Sequence, residues 1–376
     1  MRGNRGLVAV AMALVLSTGV AGAQGEATCG VVDAGQMAYP LDLGLYREVP
    51  RSVALSADGS TIAFASPGLG AVIVRDVATG AETLISAPAG DVATLPSLSG
   101  DGRRLAFTSL TQVCGRGGCA FLSKAYLAEV ATGASQEVTP GHWSNVAQLS
   151  EDGRSLVFGT GLEGQFQSDS VVVRALDSGR ERVVVRHLRG WGRRPPSVSA
   201  HGGKVAYTAD ATPARPAQVQ LYRVATGRTE RLTDTLTYAS SQPRWLSDGQ
   251  RLTFASRADI AGANPQHDLR TYLYDLRTGS ITALPRLGED AVLSGNGQRI
   301  AYTSSANPDG ANPEGNPEVF VLDRRTGATT QLTSTVDGTP SVVATSRDGR
   351  RVAFVATVDD EAFTMDLAVA EVCPTP

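Results

Sequence analysis

The residues of this chain best suited to bind a ligand lie in the segment RHLRGWGRRPP, at positions 186–196. The segment holds four arginines around one tryptophan, and Arg193 and Arg194 closely follow Trp191. Guanidinium groups bind carboxylates and phosphates through paired hydrogen bonds, and beside an aromatic ring they also suit the face of a sugar. The alternative is a solvated surface loop, which is what most runs of charge are. We predict that Trp191, Arg193 and Arg194 bind a ligand.

Histidines that could act in catalysis are few. The chain has four, and His142 and His187 lie between predicted strands, where a general base or a pair of metal ligands could act. The sequence contains no G-x-S-x-G, no H-E-x-x-H and no G-x-x-x-x-G-K-[ST] motif. We therefore expect a binding protein rather than an enzyme. The alternative is a small lyase or hydrolase that uses His142 or His187.

Side chains with oxygen atoms are dense in NPDGANPEGNPE, residues 307–318. Calcium prefers such ligands, so Asp309, Glu314 and Glu318 are candidates for a calcium site. The spacing does not match an EF-hand loop, and clusters of Asn, Asp, Gly and Pro are ordinary in turns. Calcium is therefore a compositional hint only, and we expect no other cofactor.

One pattern recurs seven times along the chain, as in VALSADGSTIAFAS from residue 53 and VATSRDGRRVAFVA from residue 343. A turn glycine is followed by an aliphatic residue three positions later and an aromatic residue five positions later. An offset of two places both side chains on one face of a strand, which indicates a buried β-strand. The seven glycines are 43 to 52 residues apart, at Gly59, Gly102, Gly153, Gly202, Gly249, Gly297 and Gly349.

Each repeat continues with further strands. Asp-Gly and Asn-Gly between apolar runs favour tight hairpins, and a second apolar strand then ends at Thr-Gly or Ser-Gly. Four antiparallel strands in a period of this length are typical of a β-propeller blade. A many-stranded β-sandwich is the alternative, but it has no reason to repeat one motif seven times. The predicted fold is an all-β, seven-bladed propeller of four-stranded blades.

The stretch PRWLSDGQRLTFAS, from residue 243, resembles the TolB-like (WD40-like, PD40) propeller repeat of bacteria. The stretch SSANPDGANPEGNPEVFVLDRRTGATTQLT, from residue 304, is similar to repeats of the same group. The resemblance extends over almost the whole chain after its first residues. It implies blades of a propeller and does not imply a particular chemistry.

The first residues are typical of an export signal. Two arginines precede the apolar run GLVAVAMALVLSTGVA, and AGA at 21–23 fits a small-residue cleavage site. The apolar run is shorter than the ~20 residues that a membrane span needs. We predict a cleaved secretory signal peptide over residues 1–23 and one propeller over residues 24–376, secreted or periplasmic. With a net charge of −3, nucleic acid is not an expected partner.

The seventh repeat has only three strands before the chain ends. An incomplete blade would expose an unpaired edge, so a strand from the beginning of the chain is expected to complete it. Counting back about twenty residues from Gly59, as in the other blades, places this strand in AYPLDLGL, residues 38–45. Export implies an oxidising compartment, and the same arrangement brings the two terminal cysteines together. We predict the disulfides Cys29–Cys373 and Cys114–Cys119.

The order of the strands determines which connections share a face of the ring. Numbered outward from the axis as A to D, the strands place the short A–B and C–D turns on one face and the B–C loops and D–A linkers on the other. Varied loops on a rigid scaffold usually carry function. We predict a binding or scaffold protein of the cell envelope or the extracellular space, a monomer, that recognises protein, peptide or glycan through this second face.

Other candidates for binding lie near the same face. Trp143 is expected to be exposed there, whereas Trp245 is expected in the core. Arg244 and Asp290 are predicted near the mouth of the channel, on neighbouring blades. They could orient a zwitterionic peptide, or they could be ion pairs that merely satisfy one another.

Overall fold

The computed structural model describes residues 28–38, 53–66, 69–115, 118–138, 143–161, 170–186, 196–210, 216–285, 287, 289–306, 310, 312–334, 340–359 and 364–372. Over these residues the chain forms seven four-stranded antiparallel sheets and a short 3₁₀ helix, Ile260–Gly262. The prediction of an all-β, seven-bladed propeller is confirmed. No helix in these ranges is long and apolar enough to cross a membrane.

The first four blades follow one another along the chain. Blade one contains β2 (Val53–Leu55), β3 (Thr61–Ser66), β4 (Ala71–Asp76) and β5 (Glu82–Ser86). Blade two contains β6 (Val92–Leu98), β7 (Arg104–Gly115), β8 (Gly118–Glu129) and β9 (Ser135–Glu137). Blade three contains β10 (Trp143–Leu149), β11 (Ser155–Gly161), β12 (Ser170–Ala175) and β13 (Glu181–Val185). Blade four contains β14 (Ser197–Val198), β15 (Lys204–Asp210), β16 (Ala217–Arg223) and β17 (Arg228–Arg231).

The last three blades complete the ring. Blade five contains β18 (Ser240–Trp245), β19 (Arg251–Ser256), β20 (Arg270–Asp275) and β21 (Ile281–Ala283). Blade six contains β22 (Glu289–Leu293), β23 (Arg299–Ser304), β24 (Glu318–Asp323) and β25 (Thr329–Gln331). Blade seven contains β26 (Ser341–Thr345), β27 (Arg351–Asp359), β28 (Thr364–Val372) and, from the beginning of the chain, β1 (Thr28–Ala38).

The core lies between neighbouring blades. Apolar side chains form seven buried clusters, each built mainly by two adjacent blades. The aliphatic and aromatic residues of the repeat all lie in the core, as predicted. Among the described residues, the repeat aromatics Phe107, Phe254 and Tyr302 also stack on an aromatic of the next strand, with ring centroids 5.3 to 5.6 Å apart. Aromatic pairs of this kind stabilise a sheet beyond the apolar area that they bury.

The ring closes as predicted, but with a different segment. An N-terminal strand completes blade seven: β1 pairs with β28, from Thr28 opposite Val372 to Ala38 opposite Thr364. The prediction of residues 38–45 was wrong, and residues 39–52 lie outside the described ranges. The reason is the length of the connection. Thr28 lies 31 residues before Gly59, whereas the outer strand of blade one begins 20 residues before Gly102.

The backbone brings the predicted cysteine pairs near one another. Cys29 lies at a register shift of β1, between Thr28, which pairs with Val372, and Gly30, which pairs with Glu371. Cys373 directly follows Val372 in the chain. Cys114 and Cys119 face each other directly in the β7–β8 hairpin. The side chains of these cysteines and the whole of Cys373 lie outside the described part of the structure, so both disulfides stay predictions. The predicted signal peptide, residues 1–23, lies outside it as well.

Candidate functional site

The two faces of the ring are built differently. One face, here called the turn face, carries the A–B and C–D turns, and the other, here called the loop face, carries the B–C loops and D–A linkers. Strand A is the innermost strand of each blade, so the A–B turns surround the mouth of the central channel on the turn face.

The A–B turns are held by a serine three residues before the turn glycine. In blade one, the Ser56 hydroxyl donates to Asp58 Oδ1 at 2.7 Å and accepts the Thr61 N–H at 3.0 Å. A buried serine accepts the equivalent N–H in six blades. Blade five has Leu246 at this position. Sequence reasoning missed this role, although the recurring serine was a signal for it.

The aspartates of these turns are committed to the turns themselves. Burial acts to raise the pKa of Asp58, but hydrogen bonds from the Ser60 N–H and from the Ser56 and Ser60 hydroxyls outweigh it and hold this pKa below its ordinary value. The pKa of Asp101 is lowered in the same way. A carboxylate that accepts hydrogen bonds within its own turn is less available to a ligand. We therefore assign the aspartates of the A–B turns a structural role.

Neighbouring A–B turns are joined by backbone hydrogen bonds around the axis. Such bonds, 2.6 to 3.0 Å long, connect six of the seven adjacent pairs of blades. The residue two positions before the turn glycine lies at these hydrogen bonds and is Gly, Ala or Ser in five of the seven blades. Neighbouring turns approach one another closely at this position. A Cβ added to Gly100 would lie 2.9 Å from the Glu151 carbonyl oxygen and 3.3 Å from the Ala57 Cβ. The channel therefore narrows to contact distance on the turn face.

An ion pair crosses this mouth. Arg347 of blade seven donates from Nε to Glu151 Oε1 of blade three at 2.6 Å, and its Nη2 contacts the same oxygen. The Glu151 side chain is 18% exposed and that of Arg347 is 55% exposed. Two adjoining surface depressions, of about 450 and 580 Å³, flank this pair and are lined by turn residues. The pair covers the centre of the mouth, so access to the channel from the turn face is obstructed.

On the described part of the loop face, two aromatic rings from different connections stack at blade five. The Tyr238 ring in the linker before β18 stacks on the His267 ring in the loop after β19, with centroids 4.8 Å apart. His267 has a φ of 55°, which is unusual for a residue with a side chain. Its Nδ1 lies 3.2 Å from the Arg257 carbonyl oxygen, and Arg257 Nη1 donates to the His267 carbonyl oxygen at 3.3 Å.

Exposed apolar side chains also lie on the loop face. Leu69, Leu236 and Leu269 are 62%, 73% and 64% exposed. The other large apolar side chains that are exposed in the described residues, Leu84 and Val183, lie on outermost strands. Leu236 is two residues before Tyr238, and Leu269 is two residues after His267. We call Leu236, Tyr238, His267 and Leu269, with Arg257, the blade-five patch.

Two residues of the innermost strands have a left-handed backbone. Gln242 and Leu95 have φ values of 55° and 52° and lie at register shifts of β18 and β6. Each precedes a proline, which disfavours the right-handed α region but does not predict a left-handed backbone. Gln242 and Arg244 are exposed on β18, and Arg244 already has an interaction partner.

Five of the predicted site residues lie outside the described ranges. These are three of the six ligand-binding candidates, Trp191, Arg193 and Arg194, and both catalytic candidates, His142 and His187. For Trp143 and Asp290 only the backbone is described, at the start of β10 and in β22. Trp245 is half-buried and donates from Nε1 to the Ser197 carbonyl oxygen at 3.1 Å, which agrees with a structural role. The structure therefore leaves the predicted arginine site as a prediction.

The calcium candidates are only partly described. Asp309 lies outside the described ranges, and Glu314 is exposed. Glu318 is 1% exposed and accepts hydrogen bonds from Asn316 Nδ2, at 2.8 Å, and from the Thr333 hydroxyl. In blade four, Gln218 accepts from Thr233 in the same way. A neutral amide thus makes the same contact, which indicates that Glu318 helps to hold its blade together.

The sequence GANP occurs twice, at residues 262–265 and 310–313, and in both places its asparagine has a structural use. Asn264 and Asn312 are buried, and each donates from Nδ2 to carbonyl oxygens on both sides of its loop. Within the described ranges, no three His, Cys, Asp or Glu side chains are grouped so that they could hold a metal ion. These residues organise the B–C loops of blades five and six.

Comparison with known proteins agrees with the fold. An oligogalacturonate lyase from Vibrio parahaemolyticus matches 92% of this chain and 98% of its own, with a TM-score of 0.60 and 13% identity. An oligogalacturonate lyase in complex with manganese matches 85% of this chain and 88% of its own, with a TM-score of 0.58 and 16% identity. TolB from Acinetobacter baumannii matches 85% of this chain and 78% of its own, with a TM-score of 0.42 and 18% identity.

This chain has the β-propeller fold. The prediction of a propeller repeat of the TolB-like kind is confirmed at the level of the fold. No family model and no curated protein matches the sequence. At these identities the similarity establishes the architecture only, because one fold supports many functions.

Proposed function

We propose that the protein is an exported, non-catalytic binding or scaffold propeller that recognises a partner through its loop face. The observation that carries this proposal is the difference between the two faces. Leu69, Leu236 and Leu269 are largely exposed, and all three lie on the loop face. Loops on a rigid scaffold commonly carry binding residues, and exposed apolar side chains that are grouped on one surface mark interaction sites.

The turn face supports the same proposal by its construction. Its aspartates are hydrogen-bonded within their own turns, and the Arg347–Glu151 pair covers the mouth of the channel. A ligand there would have to displace contacts that already exist. Protein, peptide or glycan are the proposed partners, in the periplasm or outside the cell.

A matched pair of variants tests this proposal. Leu69→Ser/Leu236→Ser/Leu269→Ser changes the loop face, and Leu84→Ser/Val183→Ser changes exposed residues of the outermost strands. Both are applied, with the unaltered protein, to glycan and peptide arrays. The ligands retained by the unaltered protein should be lost by the first variant and kept by the second. Equal retention by all three proteins contradicts the proposal.

An enzymatic alternative is favoured by one observation, the shared fold with two oligogalacturonate lyases over 85% and 92% of this chain. The described residues contain no metal-binding group that would fit manganese, so we derive no step through a metal. His142 and His187 remain the catalytic candidates. Incubation with oligogalacturonate, with and without manganese, tests the alternative through the ultraviolet absorbance of an unsaturated product. Product that disappears in His142→Ala/His187→Ala would replace the binding proposal.

A further inference from the structure

We propose that the blade-five patch binds a peptide in which aliphatic side chains alternate with carboxylates. The inference rests on the proposed function, because it assigns the partner of the same loop face. It starts from two segments that are far apart in the blade but meet at one contact. The linker before β18 supplies Tyr238 and Leu236, and the loop after β19 supplies His267 and Leu269.

The patch is held in place before any partner binds. The carbonyl oxygen of Arg257 can only accept a hydrogen bond, so the His267 Nδ1 must be the donor in that contact. The Arg257 side chain in turn donates to the His267 carbonyl oxygen. A left-handed backbone at a residue other than glycine persists only where its surroundings enforce it, and such residues are concentrated at functional sites. Because the patch is already ordered, binding loses less conformational entropy.

Three carboxylates near the patch in sequence already have partners, and one exposed guanidinium forms no ion pair with a carboxylate of the described residues. Asp234 pairs with Arg231 at 2.9 Å, Asp259 accepts the Asn264 N–H at 2.6 Å, and Asp268 has a partner as well. Arg257 is exposed, and among the described residues no carboxylate forms an ion pair with it. A carboxylate from a partner therefore complements the patch, since it can form a charge-assisted hydrogen bond there.

The apolar part of the patch favours a peptide over a glycan. Leu236 and Leu269 are largely exposed and lie two residues in sequence from Tyr238 and from His267, and their side chains offer no hydrogen bond to sugar hydroxyl groups. Desolvating those hydroxyls without a partner would cost free energy. An aliphatic side chain of a peptide has no such cost and would bury its own surface against the same leucines.

Fluorescence anisotropy with synthetic peptides tests the inference. The probes are fluorescein-labelled peptides of alternating Asp and Leu, alternating Lys and Leu, and alternating Asp and Gly, with oligogalacturonate as an unlabelled competitor. The Asp–Leu peptide should bind, and the Lys–Leu peptide should bind at least about tenfold more weakly, since a charge-assisted hydrogen bond is worth about a factor of ten. The Asp–Gly peptide should also bind at least about tenfold more weakly, because it keeps the carboxylates but lacks the leucine side chains that would be buried on the patch. Arg257→Gln and His267→Asn should each weaken the binding of the Asp–Leu peptide about tenfold. Asparagine is chosen because it tolerates the left-handed backbone.

Arg277→Gln is the control, because Arg277 is exposed on the C–D turn of the same blade, on the opposite face. Circular dichroism and the melting temperature confirm that each variant is folded. The inference is overturned if the Asp–Leu peptide does not bind or if the Lys–Leu peptide binds equally well. It is also overturned if oligogalacturonate displaces the bound Asp–Leu peptide, or if Arg277→Gln weakens the binding of this peptide as much as Arg257→Gln does. If Leu69→Ser/Leu236→Ser/Leu269→Ser loses array ligands while Arg257→Gln and His267→Asn do not, only this inference fails. If the triple variant keeps them, the proposed function fails.

Discussion

The tight ring of A–B turns leads to a prediction about Gly100. A Cβ at this position would lie 2.7 Å from Glu151 Cγ and 2.9 Å from the Glu151 carbonyl oxygen, whereas uncrowded heavy atoms lie about 3.5 to 4.0 Å apart. Because one of the two atoms belongs to the backbone, rotation of a side chain cannot relieve the contact. Overpacking of this kind typically costs about 1–3 kcal/mol.

Gly203→Ala is the matched control for Gly100→Ala. A Cβ at Gly203 would have no atom within 4 Å, and neither glycine has a left-handed φ. Both substitutions reduce the entropy of the unfolded chain by a similar amount, equivalent to about 0.4–1 kcal/mol, so this contribution cancels in the comparison. The free energy of unfolding of Gly100→Ala should therefore be about 1–3 kcal/mol lower than that of Gly203→Ala.

Urea unfolding followed by tryptophan fluorescence measures this difference. In a Glu151→Ala background the cost of Gly100→Ala should fall only in part, because the Cγ contact is removed and the carbonyl contact remains. Equal stability of Gly100→Ala and Gly203→Ala would refute the description of the turn-face mouth as closed at contact distance.

Three further predictions follow from the same structure. Glu318→Gln should change the free energy of unfolding by less than about 0.5 kcal/mol, whereas Glu318→Ala should lower it by about 1–3 kcal/mol, because a buried hydroxyl loses its acceptor; chemical denaturation measures both. The lowered pKa of Asp58 contributes stability that is present above pH about 4, the pKa of an unfolded aspartate, and is lost as the pH falls through the folded value. Melting temperatures between pH 6 and 2 should therefore fall less steeply in Asp58→Asn than in the unaltered protein, and identical slopes would contradict this. A peptide map of the non-reduced protein should show two disulfides, Cys29–Cys373 and Cys114–Cys119, and any other pairing would contradict the prediction.

The parts of the fold that sequence alone could predict are those that repeat locally. The offsets of three and five residues from each turn glycine identify core positions such as Ile62 and Phe64, because they depend only on the geometry of one strand. The position of β1 was wrong because nothing local sets the length of the connection that closes a ring. The spacing of the other blades was a poor guide there.

The candidate site was harder to predict because its contacts join distant parts of the chain. Glu151 and Arg347 are 196 residues apart and meet only because blades three and seven face each other across the axis. Tyr238 and His267 belong to a linker and a loop whose separate sequences contain no recognisable motif. Sequence reasoning identified the loop face but not the patch, since a stack between two loops depends on the folded backbone.

Photo-crosslinking tests the central claim, that the loop face rather than the turn face holds the partner. A benzoylphenylalanine placed at position 236 on the loop face, or at position 101 on the turn face, is irradiated in the presence of the array ligand with the highest affinity. We expect a covalent adduct with the residue at position 236 and none with the residue at position 101. An adduct at position 101, with none at position 236, would contradict it.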